Sequence, residues 1–206
     1  MTQPDVIVVG GGLAGAACAR QLAIQQLRVR ILDSGSEDGI ASTAAAGMLA
    51  PLAESAPEDP LLSMSVRGRD LYYELAPALK EETGIDIGLW NDGILQLALS
   101  TEEAARLTHE IAWQRQRGYK SDWLSQDDLQ SRHPGLTPEA LGGKLAPEDG
   151  GLEPEPLLKA FLASAKRHNA ELSRGVRVEE VVVENGAAVG VTADGKTISA
   201  GAVVVA

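Results

Sequence analysis

The stretch Val6-Ile7-Val8-Val9-Gly10-Gly11-Gly12-Leu13-Ala14-Gly15 joins a short apolar run to a pattern of glycines. Four β-branched apolar residues in a row predict a buried strand. The spacing Gly-x-Gly-x-x-Gly follows at once, and the small and apolar residues 16–23 predict a helix. A second strand is predicted at residues 29–32, and Asp33 stands at its end. This order of elements predicts the βαβ unit of an α/β fold.

The glycine pattern is the one that dinucleotide binding requires. Gly10 allows a tight turn, Gly12 lets the backbone approach a pyrophosphate, and Gly15 lets the helix pack closely on the strand. The start of the helix offers free N–H groups and a partial positive charge to the phosphates. Asp33 follows at nearly the spacing expected of an acid that binds the ribose hydroxyls. The alternative is a glycine turn that packs a helix on a strand and holds no ligand.

Composition narrows the possible functions. The 206 residues are 44% hydrophobic and only 3% aromatic, so the core is expected to rest on Val, Leu, Ile and Ala. The net charge of −11 argues against a nucleic-acid-binding protein. A dinucleotide remains possible, because backbone N–H groups rather than Lys or Arg would hold its phosphates.

Cysteine use and hydropathy suggest a compartment. Cys18 is the only cysteine, which fits a reducing environment, and its place in the small-residue helix predicts a packing role. The apolar residues 6–19 are not preceded by Lys or Arg, unlike a signal peptide. No segment approaches the ~20 apolar residues of a membrane helix. We therefore expect a soluble, cytoplasmic protein.

A polar turn at residues 34–39 leads into an unusual segment, Ala41-Ser42-Thr43-Ala44-Ala45-Ala46-Gly47-Met48-Leu49-Ala50-Pro51. Small side chains let the backbone approach a flat ligand, and Ser42 and Thr43 offer hydroxyl groups to that ligand. The alternative is a short Ala-rich helix that serves only for packing. Its glycine and its proline weaken that alternative, because both disfavour the continuation of a helix.

This segment, with Gly10–Gly15 and Asp33, resembles the flavin amine oxidases of the D-amino-acid-oxidase superfamily, and most of all their glycine oxidase branch, the enzymes of thiamine biosynthesis. The resemblance implies FAD as the cofactor, whereas the glycine pattern alone would also allow NAD. It implies that Met48 also faces the substrate pocket. The residues that it implies for FAD binding are Gly10, Gly11, Gly12, Leu13, Ala14, Gly15, Asp33, Ser34, Ala41, Ser42, Ala46, Gly47, Met48 and Val178.

Three of these residues depart from the family pattern or have a simpler explanation. The family usually has Glu at the position of Asp33, but an Asp there can still bind ribose. Hydroxyl residues are usual near Ala41, which offers only its backbone. The backbone at Val178 would meet the adenine, and the alternative is an ordinary core valine.

Periodicity and turn residues predict the remaining elements. A helix is expected over residues 59–83, kinked or divided at Pro77, with Arg67 and Arg69 as surface charges. Glu148 and Asp149 are expected in turn or helix-capping roles. The other elements predicted in this way are a hairpin of residues 85–90 and 93–99, helices from about 101 to 117 and from 125, a helix opened by Pro154 and Pro156, a three-strand meander over 176–199 and a parallel strand at 202–206. Residues 141–147 are a poor strand by propensity, and the resemblance implies a strand there.

The expected architecture is a Rossmann-like FAD-binding domain in residues 1–84 and 141–206, with a βαβ start and a β-meander, plus part of an α+β substrate domain in residues 85–140. Family members continue well beyond the position of Ala206. The fold is therefore expected to be incomplete at its C-terminus, through truncation, proteolysis, a split gene or a defective gene remnant. We expect a second chain with the C-terminal half, or self-association, because exposed hydrophobic strand edges are costly.

The resemblance implies oxidative deamination of glycine or a small amino acid. A hydride would pass to the flavin, and oxygen would reoxidise it to give hydrogen peroxide. No catalytic residue is assigned within the chain, and the three histidines lack metal-ligand spacing, so no metal site is proposed. The alternatives are an FAD dehydrogenase with another electron acceptor, and an inactive fragment that binds FAD or a partner polypeptide.

Overall fold

The computed structural model describes residues 3–35 and 41–206, so most of the predicted polar turn at 34–39 lies outside the described residues. The chain forms two compact units. The first comprises Met1–Ala46, Ala76–Ile87 and Glu153–Ala206, and the second comprises Gly47–Leu75 and Gly88–Leu152. Their bounds differ from the predicted domains chiefly at residues 47–75 and 141–152. The assignment of an FAD-binding and a substrate domain stays a prediction.

The described part of the chain contains both strands and helices. Its strands are β1 (Val6–Val9), β2 (Val29–Asp33), β3 (Met48–Leu49), β4 (Ile94–Ala98), β5 (Asp122–Ser125), β6 (Gly142–Ala146), β7 (Gly150–Gly151), β8 (Glu171–Arg174), β9 (Val178–Glu184), β10 (Ala187–Ala193), β11 (Lys196–Ser199) and β12 (Ala202–Val205). Its helices are α1 (Leu13–Ile24), α2 (Ala41–Ala44), α3 (Pro51–Glu54), α4 (Leu62–Thr83), α5 (Thr101–Gln116), α6 (Gln126–Arg132) and α7 (Pro154–Arg167).

A parallel sheet with the order β12-β1-β2-β8 organises the first unit. One of its clusters joins Val6, Val8 and Ile31 to alanines of α1 and α7. The other joins Ile7 and Leu32 to residues of the meander β9–β11. Because both faces of β1 are covered, its sequence is apolar without interruption. The predicted α/β fold and its βαβ start are confirmed.

An antiparallel sheet with the order β4-β6-β5 organises the second unit. Leucines of β4, β5 and β6 pack with Leu129 of α6. The helices α5 and α6 begin at Ser100 and Ser125, and each serine forms a capping box with the acid three residues later. Both helix starts are as predicted.

The predicted hairpin of residues 85–90 and 93–99 is wrong. Only β4 forms a strand there, and it pairs with β6 rather than with the preceding residues. Trp90 instead makes an isolated bridge to Gly151. Glycines in β6 explain the pairing, because a Cβ on Gly143 would lie 2.9 Å from the Leu95 side chain. The sheet therefore requires the small residues that made β6 a poor strand by propensity.

Three further predictions need correction or addition. Helix α4 continues through Pro77 and is not divided there. Cys18 is exposed on α1, so it is not a buried packing residue. The strands β5 and β8 were not predicted, because each has only four residues and neither Asp-Trp-Leu-Ser nor Glu-Leu-Ser-Arg has the period-two alternation of a strand. Among the helices that the structure describes, none is long and apolar enough to cross a membrane.

Candidate functional site

The glycine loop connects β1 to α1 at the carboxyl edge of the parallel sheet. Gly10 has φ +104°, a conformation that favours glycine, and its N–H donates to Leu32 O at 2.9 Å. A Cβ on Gly15 would overlap with the carbonyl oxygen of Gly10. The turn and the close approach of helix to strand, predicted for these two residues, are both present.

The first turn of α1 carries backbone amides that have no carbonyl partner within the helix. Gly12 is the N-cap residue and makes no side-chain cap. The hydroxyl of Ser42 takes over part of that role, since Leu13 N–H donates to Ser42 Oγ at 3.0 Å. The N–H groups of Ala14 and Gly15 have no carbonyl partner within the helix. These amides and the helix dipole make the loop suitable for an anion such as phosphate.

Asp33 ends β2 next to this loop. Its Oδ1 accepts a hydrogen bond from Gly35 N–H at 3.2 Å. Its Oδ2 lies so close to Gly11 that a Cβ on Gly11 would be 2.5 Å away. The carboxylate is therefore held at the edge of the glycine loop, where it can accept hydrogen bonds from a ligand's hydroxyl groups.

A cavity of about 780 Å³ lies over this edge of the first unit. It brings together ten of the fourteen predicted site residues. They are Gly10, Gly11, Gly12, Leu13, Ala14, Gly15, Asp33, Ser34, Ala41 and Ser42.

Seven residues of the cavity wall were not among the fourteen predicted for FAD binding. Leu158 and Leu162 belong to α7. Arg174 is the last residue of β8, and Gly175 comes directly after it. The sheet order explains them, because β8 is parallel to β2 and its carboxyl end reaches the same edge. Recognition of β8 as a third parallel strand after α7 would have found Arg174. The rest of the wall is Gly35, Thr43 and Ala206.

Four predicted site residues are not part of this wall. Ala46 follows α2, and Gly47 and Met48 belong to the second unit. Val178 starts β9, and its side chain packs against the cluster that contains Ile7 and Leu32. That packing favours the alternative of a core valine for the Val178 side chain.

The second unit contains a buried ion pair that the sequence did not suggest. Arg69 is only 4% exposed, so its prediction as a surface charge is wrong. Its Nη1 donates to Oδ1 of the fully buried Asp149 at 2.9 Å. Asp149 Oδ2 accepts from Leu52 N–H at 3.0 Å and from Ala53 N–H at 2.9 Å. Burial raises the pKa of Asp149, while the Ala53 amide and Arg69 oppose that rise.

Asp149 thus has a helix-capping role, as predicted, because its carboxylate accepts from two amides in the first turn of α3. Glu148 lies on the rim of the same cluster, where it pairs with Lys120 and reaches Arg69 at 3.4 Å. Asp149 has no exposed surface, so the pair of acids is not arranged for acid–base catalysis on a ligand.

The histidines lie at helix surfaces and ends. His168 caps α7, and its Nε2 lies 2.9 Å from Glu82 Oε1. Within residues 3–35 and 41–206, no group of three or more His, Cys, Asp or Glu side chains is arranged to hold a metal ion.

Comparison with known proteins identifies similar chains. A family model described as DAO, FAD dependent oxidoreductase, matches residues 5–206. A glycine oxidase from Geobacillus kaustophilus is 36% identical over 203 residues, which are 98% of this chain and 54% of the relative. A bifunctional ThiO/ThiG protein from Trichormus variabilis is 32% identical over 188 residues, 91% of this chain and 28% of the relative. The crystal structure of glycine oxidase from Geobacillus kaustophilus matches with a TM-score of 0.93 and 34% identity, over 100% of this chain and 55% of that chain.

These matches confirm the resemblance, the fold class and FAD as the family's cofactor. The chain spans about half the length of the glycine oxidases that it matches.

Proposed function

Because the chain belongs to the DAO family of FAD-dependent oxidoreductases, we propose that the cavity of its first unit holds the nucleotide part of FAD. The observation that carries this proposal is the convergence of Gly10–Gly15, Asp33 and Ser42 on one cavity. The loop supplies amides for the pyrophosphate, and Asp33 supplies an acceptor for the ribose hydroxyls.

The residues present fit this group. Gly11 and Gly12 carry no side chain to fill the space over the loop. Ser42 Oγ accepts from Leu13 N–H, so its own proton is available to a phosphate oxygen. Arg174 adds a positive charge to the wall of a protein whose net charge is −11. Leu158 and Leu162 offer an apolar surface.

We also propose that Ala46, Gly47, Met48 and the backbone at Val178 contact FAD, as the family resemblance implies. Met48 is 55% exposed, so its side chain is accessible to a ligand. Its exposure supports a role towards the substrate as well.

The proposed activity is oxidative deamination of glycine or a small amino acid. FAD would supply the redox chemistry, in which it accepts a hydride from the substrate and returns its electrons to oxygen as hydrogen peroxide. The residues of this chain would bind the cofactor, orient it and exclude water from it. The glycine oxidase relatives are almost twice as long, so the activity is proposed to need further residues, on the same polypeptide or on a second chain.

The cofactor proposal is tested by titration of FAD into the protein and its Asp33→Asn variant. Loss of the charged acceptor for the ribose hydroxyls is expected to raise the Kd for FAD about tenfold, because a hydrogen bond to a charged group contributes about 1.5–3 kcal/mol. Asp92→Asn is the control, since Asp92 is exposed on a loop of the second unit. Equal Kd values for all three proteins, or no binding by the wild type, would contradict the proposal.

The activity is tested on this chain together with the further residues that the proposal requires, whether these lie on the same polypeptide or on a second one. Addition of glycine is expected to bleach the visible absorbance of the flavin and to produce hydrogen peroxide in air. Bleaching without peroxide would favour a dehydrogenase with another acceptor. Absence of both would favour a cofactor-binding chain without oxidase activity.

A further inference from the structure

Residues 149–152 of the second unit form hydrogen bonds to residues 47–53 along most of that segment. Leu152 N–H donates to Gly47 O at 2.9 Å, and β3 pairs with β7 through Met48 opposite Gly151 and Leu49 opposite Gly150. Asp149, the residue before β7, accepts from the Leu52 and Ala53 amides. Residues 149–152 therefore fix the backbone of residues 47–53 by main chain at one end and by a carboxylate at the other.

A second pair of side chains holds the same segment at Leu52 O. Lys144 Nζ donates to it at 3.1 Å and Gln114 Nε2 at 2.7 Å. Both side chains are fully buried, and Lys144 also pairs with Glu110. Leu52 is thus hydrogen-bonded through its N–H to Asp149 and through its carbonyl to Lys144 and Gln114.

These contacts are needed because the segment has little stability of its own. Helix α3 has four residues, which is too short to be stable from its own hydrogen bonds. Strand β3 has two. The segment's conformation is consequently determined by the buried groups that bind it.

We propose that Asp149, held by Arg69, is the principal positioning residue of a buried group, with Gln114 and Lys144, that keeps residues 47–53 in one conformation. This conformation is the one in which Gly47 and Met48 would contact FAD. The inference rests on the proposed function in that Gly47 and Met48 are the residues proposed to contact the cofactor. The Met48 side chain is more than half exposed although its backbone is paired, which is the arrangement expected of a fixed ligand contact.

Removal of the charge of Asp149 can be compared with removal of the charge of Asp70, which serves as the matched control. Both carboxylates bond to Arg69, Asp149 through Nη1 and Asp70 through Nε and Nη2. Asp70 has a half-exposed side chain, and the hydrogen bonds of its carboxylate within the described residues go to Arg69 and not to residues 47–53. Asp149→Asn and Asp70→Asn therefore remove the same charge from the same arginine, but only the first disturbs the segment.

The first measurement is amide hydrogen exchange of Leu52 and Ala53. Exchange is expected to be about tenfold faster in Asp149→Asn and nearly unchanged in Asp70→Asn, because only Asp149 accepts from these amides. Equal exchange in the two variants would overturn the inference.

Gln114→Met keeps the test valid if Asp149→Asn does not fold. Methionine has a similar volume and removes one of the two donors to Leu52 O without a change of charge. Gln114 Oε1 has no hydrogen-bond partner in the part of the chain that the structure describes, so its removal offsets part of the cost of the lost bond to Leu52 O, and the variant is expected to fold. Exchange at Leu52 and Ala53 is still expected to rise, by about threefold. An unchanged rate would overturn the inference.

The second measurement is the Kd and visible spectrum of bound FAD in the same variants. We expect about tenfold weaker binding and a shifted flavin band in Asp149→Asn, but wild-type values in Asp70→Asn. Faster exchange with unchanged FAD binding and spectrum would reduce Asp149 to a purely structural role and overturn the inference. A wild-type chain that does not bind FAD would instead contradict the proposed function, and the positioning role with it, while the exchange data would show that the segment is nonetheless held.

Discussion

At position 15, even one methyl group would not fit. A Cβ there would overlap with the carbonyl oxygen of Gly10, which is backbone and has no rotamer to change. The turn at Gly10 is itself constrained by the positive φ of that residue. Helix α1 can therefore lie this close to β1 only because residue 15 has a hydrogen atom in place of a side chain.

Gly15→Ala is expected to lower the free energy of unfolding by about 2 kcal/mol, since added atoms at a closely packed site force the backbone apart. Urea denaturation measures this change. Gly68→Ala is the matched control, because a Cβ on Gly68 of α4 meets no atom within 4 Å. This control is expected to gain about 0.5–1 kcal/mol from the higher helix propensity of alanine. Similar stability of the two variants would contradict the packing argument.

The placement of residues in the fold was predictable where a local pattern determines it. The glycines, Asp33 and Ser42 lie in one continuous part of the sequence, and the structure places them on one cavity. Arg69 was mistaken for a surface charge because its partner Asp149 is distant in sequence and nothing around Arg69 indicates the pair. Arg174 was missed because β8, the strand that brings it to the cavity, was not predicted.

At the scale of elements, Asp5 connects the starts of three parallel strands. Its carboxylate accepts from the backbone N–H of Arg28, just before β2, at 2.8 Å and from Arg28 Nε at 3.0 Å. Its carbonyl accepts from Ala202 N–H of β12. Hydrogen bonds and the charge of Arg28 lower the pKa of Asp5 from 3.8 to about 2.

This pKa predicts an acid-sensitive contribution to stability. The folded pKa is below the unfolded value, so the contribution is complete above about pH 4 and is lost as the pH falls towards 2. Asp5→Asn is expected to flatten the decline of the melting temperature in this range, and Arg28→Gln to flatten it similarly. A decline in Asp5→Asn as steep as in the wild type would contradict the role of this carboxylate.

Elements were predictable when their own sequence stabilises them. The Ser100 and Ser125 capping boxes stabilise the starts of α5 and α6 through neighbouring residues, so their sequence signal is local. The wrongly predicted hairpin at 85–99 had period-two alternation and turn residues, but β4 pairs with β6 instead of with residues 85–90. Alternation shows that a segment suits a sheet and does not identify the strand beside it.

At the scale of the whole molecule, the negative net charge of the chain opposes binding of the proposed ligand. The net charge of −11 repels an anionic dinucleotide, whereas Arg174 attracts it locally. Neutral backbone amides then have a clear advantage, because they bind phosphate without a need for a positive surface.

Added salt is therefore expected to speed FAD association. Stopped-flow measurement of flavin fluorescence should show an on-rate about twofold higher at about 200 mM than at about 20 mM NaCl, since salt screens the repulsion. Arg174→Gln is expected to increase this dependence. An on-rate that falls with salt in the wild type would show that the local charge outweighs the net charge.

The sequence alone was sufficient for the α/β fold, the FAD family and most of the glycine-loop site, because each rests on contiguous residues with a defined backbone requirement. Only the tertiary structure revealed that β8 brings Arg174 to the same cavity, and that Asp149 and Arg69 hold the segment of Met48. Those relations join residues far apart in the chain, and their energy comes from burial. Burial depends on which elements pack together, which no local pattern records.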